Sequence, residues 1–194
     1  GKRGLNQLKD LTNLQTLHLV ALREKEATID EIPLNIASLR KLKTLSIKGV
    51  ALRDADLTSL AGTSDLEWLA LDGPLTENGL MCLNGLDSLQ FMRIDGISCL
   101  SGEGLAHLAD LPKLANLHLT GQITDAALGK VVRSPSLWSF TVGTDELIRR
   151  ETVDLLKQTL PNADYIHIDP LPKLGSPSPQ PKSARPRSVP RRTR

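Results

Sequence analysis

The sequence predicts an α/β solenoid, built from one short strand–turn–helix unit repeated along the chain and stacked on a shared core. Three observations predict it. The apolar residues are mostly leucine, and only five residues are aromatic: Trp68, Phe91, Trp138, Phe140 and Tyr165. The phrase Leu-x-x-Leu-x-Leu recurs along the chain. Between its copies the apolar period lengthens from two to three. A core drawn from one residue type points to one small unit used many times.

The copies begin at Leu14, Leu42, Leu66, Leu89, Leu114, Leu137 and a degenerate Ala163, giving start-to-start spacings of 28, 24, 23, 25, 23 and 26 residues. Within each copy the fourth and sixth residues, such as Leu17 and Leu19 or Leu69 and Leu71, alternate with period two. That is the pattern of a short strand with one face inward. Leucines three apart then follow, as in Leu5, Leu8 and Leu11, Leu80, Leu83 and Leu86, or Leu105, Leu108 and Leu111. They predict a short helix with one apolar stripe. A unit of this size cannot bury its leucines alone, but stacked units share them.

The links agree. Glycine follows the strand at Gly49, Gly73, Gly96 and Gly121, where a sharp exit favours a residue free of Cβ. Thr76, Ser101 and Thr124 stand just ahead of a helical stripe, as does Asp54. These residue types cap helix N-termini by accepting a free backbone N–H.

The phrases Ile123-Thr124-Asp125-Ala126-Ala127-Leu128, Leu75-Thr76-Glu77-Asn78-Gly79-Leu80 and Leu100-Ser101-Gly102-Glu103-Gly104-Leu105, each after a Leu-x-Leu-x-Gly-type strand exit, make the match specific. The chain resembles the leucine-rich-repeat proteins over about residues 5–169, and within them the cysteine-containing class and the similar Ile-Thr-Asp-x-x-Leu repeats of many bacterial proteins. The resemblance implies a right-handed solenoid, with a parallel sheet on the concave side and short helices on the convex side. Two features depart from that class. Val50, Pro74, Ile97 and Gln122 stand where asparagine or cysteine is usual, and the longer junction 20–36 carries Ile32-Pro33-x-x-Ile36, as in the "typical" class.

The domain reading is a repeat domain over 1–169 of about seven units, followed by a tail over 170–194. Gly1 leads into Leu5 with no capping unit, so further repeats or another domain are expected upstream. Glu151–Leu160 is expected to be a last helix and Asn162–Asp169 a last, polar edge strand. The tail holds Lys173, Lys182, Arg185, Arg187, Arg191, Arg192 and Arg194, no acid, and seven of the twelve prolines. With so little to bury, it is expected to be disordered. The remainder carries 24 − 7 = 17 basic residues against 22 acidic ones, a net charge of −5. No apolar run approaches the ~18 residues of a membrane-spanning helix. The two well-separated cysteines, Cys82 and Cys99, read as free thiols, and the expected location is cytoplasmic.

Outward strand residues occupy positions three, five and seven of the phrase. Position three places Trp68 and Phe91 on adjacent strands, with Asn116 next. Arg93 and His118 share position five, and Asp72 and Asp95 share position seven. Aromatic residues beside an arginine and carboxylates are the composition of an interface centre. Stacking between ordinary cross-strand neighbours explains the same pair. His18, His118 and His167 all lie at position five, but the nearest two are two repeats apart, roughly 10 Å, too far to share one zinc ion.

No phosphate loop, His-Glu-x-x-His, Cys-x-x-Cys or Gly-x-Ser-x-Gly motif is present, so the sequence predicts neither catalysis nor a cofactor. The expected function is a non-catalytic module, monomeric as a domain, that binds another protein through the concave face. The resemblance also implies alternatives: the substrate-receptor part of a larger ubiquitin ligase, or part of an effector protein. A different alternative is nucleic-acid or anionic-membrane binding through Arg185, Arg187, Arg191, Arg192 and Arg194.

Overall fold

A computed structural model describes residues 8–21, 36–50, 52–109, 111–130, 136–160 and 162–170. The tail beyond Pro170 and most of the 20–36 junction lie outside these, as does Leu5. Seven parallel strands form one sheet in chain order: β1 (Thr16–Val20), β2 (Thr44–Lys48), β3 (Trp68–Asp72), β4 (Phe91–Leu100), β5 (Asn116–Ile123), β6 (Ser139–Thr144) and β7 (Tyr165–Pro170). Sequential parallel neighbours joined by crossovers give a right-handed α/β solenoid.

The register is the one the leucine phrase predicts. Thr16, Thr44, Trp68, Phe91, Asn116, Ser139 and Tyr165 pair in one lateral row. The inward pairs Leu45 and Ile47, Leu69 and Leu71, Met92 and Ile94, and Phe140 and Val142 are all buried. A one-residue slip would turn every one of them to the outer face, so burial fixes the register. β4 and β5 run further than expected: pairing resumes beyond the glycine, at Ile97 with Gly121 and Leu100 with Ile123, after register shifts.

Opposite the sheet lie α1 (Asp54–Leu57), α2 (Glu77–Met81), α3 (Glu103–Ala109), α4 (Asp125–Leu128) and α5 (Arg150–Thr159). The predicted leucine helices are shorter than expected, because a spacing of three is the period of a 3₁₀ turn. Backbone N–H groups bond three residues back: Leu83 to Leu80, Leu86 to Leu83 and Leu89 to Leu86. The same turn joins Leu39 to Ile36 and Leu42 to Leu39, and again Leu11 to Leu8 and Leu14 to Leu11. Thr63 takes one of these leucine positions fully buried, and its hydroxyl donates to the Leu60 carbonyl at 2.8 Å. The buried polar group is thereby satisfied within its own turn.

Neighbouring units are tied by carboxylates in the first turns of the helices. Thr76 and Thr124 cap their own helices as expected, accepting from Asn78 and Ala127 N–H. Asp54 and Ser101 do not. Asp54 reaches forward to Thr76 of the next repeat, accepting its N–H at 2.9 Å and its hydroxyl at 2.5 Å. Its own turn is closed by Asp56, which accepts from Arg53 N–H. Ahead of α3, Oε1 of Glu77 from the preceding repeat accepts from Ser101 N–H and hydroxyl, Gly102 N–H and Glu103 N–H. Asp125 repeats the device on Arg149 at the start of α5. At the starts of α2, α3 and α5, donors are therefore met by the repeat before.

Candidate partner-binding face

The outward face is built on position three. Trp68 and Phe91 are register partners on β3 and β4, and their rings stack at 5.0 Å with planes 6° apart. Both remain partly exposed. The His18 ring on β1 meets the indole edge-on at 6.4 Å. Ser46 on β2 pairs in register with His18 and with Ala70 on β3; although Ser46 and Ala70 point outward, only 4% and 2% of their surface is exposed. Small residues at these two places let the rings close over the sheet. The result is one aromatic ridge spanning β1 to β4.

A polar cluster adjoins it. Arg93 Nε donates to Asp95 Oδ2 at 2.7 Å, and the Thr120 hydroxyl donates to Asp95 Oδ1 at 3.0 Å. Arg93 and His118 are register partners. His118 Nε2 stands 3.7 Å from Asp95 Oδ1, too long for a hydrogen bond, and is buried without a partner among the described residues. Burial lowers the pKa of this imidazole, the Arg93 charge lowers it further, and Asp95 opposes both.

The structure thus brings Trp68, Phe91, Arg93, Asp95 and His118 together, with Asn116 laterally beside Phe91. Asp72 is Asp95's register partner, but its carboxylate turns the other way, accepting Gly49 N–H at 3.0 Å. This separates two like charges and ties β3 to the preceding turn. His18 and Thr120 join the cluster; the sequence places both at outward positions, five and seven, but not among the candidate site residues. The small residues at 46 and 70 are the signal for His18, and Thr120's place in the Asp95 row is the signal for Thr120. Trp138 and Tyr165, 49% and 50% exposed, add aromatic surface towards β7. The Tyr165 ring stacks on His167, which pairs with Asp169 at 2.6 Å. The tail arginines lie outside the described residues.

Among the described residues no group of three or more His, Cys, Asp or Glu side chains could hold a metal ion. No described helix is long and apolar enough to cross a membrane.

No protein-family model matches the chain. No curated protein matches it either. Among solved structures it is similar to internalin C2 from Listeria monocytogenes, at 25% identity and a TM-score of 0.55, covering 82% of this chain and 74% of that one. Repeat phrase, sheet order and this likeness agree, and the chain is by fold a leucine-rich-repeat-type solenoid.

Proposed function

We propose that the chain is a non-catalytic binding module whose outward sheet face captures another protein, with the Trp68–Phe91 stack at the centre of the contact. One observation carries this reading: two large rings stand stacked and partly exposed on a face where the leucine core has no use for them. Solenoids of this kind use such faces as extended binding surfaces. Aromatic residues flanked by arginine form the anchors of protein interfaces. Arg93, Asp95, Asn116 and His118 supply the polar surround, and Asp72 contributes mainly by fixing the Gly49 turn. The Ile-Thr-Asp-x-x-Leu subclass belongs to this proposal as well, resting on the phrases at Leu75, Leu100 and Ile123.

The test is affinity capture by the intact chain, compared with a Trp68→Ala/Phe91→Ala variant of unchanged circular dichroism. The partner captured by the wild type should be lost from the variant. Undiminished capture places the contact elsewhere.

A further inference from the structure

We propose that residues 171–194 of this same chain dock on the outward sheet face, running along the Asp169–Asp95–Asp72 rim onto the Trp68–Phe91 ridge. The inference rests on the same ridge as the partner reading but needs no partner.

Position comes first. β7 ends at Pro170, directly after Asp169, and Asp169, Asp95 and Asp72 share the fifth place of their strands, which is the exit end of β3 and β7. From β7 to β3 is four strand spacings, about 19 Å. The 24 residues after Pro170 span up to about 74 Å as an extended proline-type helix. The tail reaches the ridge with slack.

Charge comes second. The tail carries seven Lys or Arg and no acid, while the remainder carries 17 bases against 22 acids. Along the rim, Asp72 Oδ1 accepts nothing among the described residues, because its hydrogen bond from Gly49 falls on Oδ2. A guanidinium fits such a carboxylate and also packs on aromatic rings.

Shape comes third. Pro177, Pro179 and Pro181 alternate along the tail. Proline-rich segments lose little entropy on binding and dock on aromatic surfaces. Tethering raises the effective concentration to the millimolar range, so contacts too weak to persist between separate molecules hold within one. A docked tail lowers the apparent affinity of any partner in proportion to the share of molecules whose face is left open.

The test uses the full chain and its two indole N–H resonances. Trp68 reports the ridge. Trp138 precedes β6, three strands from Trp68 and ahead of the outward row, and serves as the control. The wild type is compared with Arg185→Glu/Arg187→Glu/Arg191→Glu/Arg192→Glu. The Trp68 signal should shift between the two while Trp138 stays in place. Raising salt from about 0.1 M to about 1 M, which shortens the screening length from ~10 Å to ~3 Å, should move the wild-type signal towards the variant's. A Trp68 signal identical in both proteins overturns the proposal. A shift that disappears on dilution assigns the tail to a second copy and overturns the intramolecular form. Tail-dependent binding to heparin with Trp68 unmoved assigns the tail to polyanions and overturns it as well. Partner capture by the charge-reversed chain is read separately, so either reading can fail alone.

Discussion

Asp54 holds Thr76 of the following repeat with both carboxylate oxygens, Oδ1 on the backbone N–H and Oδ2 on the hydroxyl. Thr76 in turn accepts from Asn78 N–H and so caps α2. One carboxylate therefore orders the helix start of its neighbour. In a solenoid, stability is a sum of unit terms and nearest-neighbour terms, and this bond belongs to the second kind. Asp54→Ala leaves two partly buried donors without an acceptor and should lower stability by about 1–3 kcal/mol. In urea unfolding the midpoint falls while the slope is unchanged. Thr76→Ala should cost a similar amount, and the double variant should cost less than the sum. Strict additivity would show that the two residues act independently.

Glu77 makes the corresponding contact respond to pH. Burial pushes its carboxyl upward, but the Ser101 hydroxyl and the Gly102, Ser101 and Glu103 N–H groups outweigh it and hold the carboxyl below its ordinary value of 4.5. A pKa lower in the folded than in the unfolded chain adds stability that is fully present above the unfolded value. That stability is lost as pH falls through the folded value. The urea midpoint should therefore drop below about pH 4.5. Glu77→Gln, which keeps an acceptor but cannot titrate, should flatten this acid limb. An acid limb equally steep in the variant contradicts the assignment.

Gly121 is required by both conformation and space. Its φ is 138°, and a Cβ there would strike the backbone of Ile97 on the neighbouring strand. Gly121→Ala should cost more than about 1 kcal/mol, since alanine gains little from a stiffer unfolded chain when the native conformation excludes it. Gly85→Ala provides a contrast: its φ is 88°, but nothing lies within 4 Å of the added carbon. Thermal unfolding should rank Gly121→Ala well below Gly85→Ala. Equal melting temperatures would mean that β4 and β5 separate without cost.

These residues also show what the sequence made legible. Leu-x-x-Leu-x-Leu gave the register of all seven strands, because period two states directly which side chains face inward. It placed Trp68 beside Phe91, and Arg93 two residues from Asp95 on one face, for the same reason. The forward reach of Asp54 and Glu77 was not legible, since Asp54 reads as a cap for its own helix and nothing near Glu77 in the chain names its partner until the neighbour's position is known. Leucines three apart were read as short helices, as Leu105 and Leu108 are in α3, but at Leu11 and Leu14 and at Leu83, Leu86 and Leu89 the same spacing forms 3₁₀-type turns. The contact of His18 with Trp68 was not legible because it crosses a strand and depends on Ser46 being small.

His118 lies between opposing charges, and its titration should report both. Its pKa should fall below the ordinary 6.5, chiefly through burial and next through Arg93, with Asp95 working against them. Ring resonances followed by NMR should place it there. Arg93→Met should raise it, because a cation is removed, and Asp95→Asn should lower it further. The stability effect has a defined sign. The unfolded chain takes up this proton first as pH falls below 6.5, so the folded state loses stability from there down to the folded value and is level below it. That window opens at a higher pH than the one set by Glu77, so the upper part of a single pH series of urea midpoints reports His118. His118→Gln should remove the slope near pH 6 and leave the acid limb intact. A ring that titrates above 6.5, or one indifferent to Arg93→Met, would show that the cluster on this face is open to water.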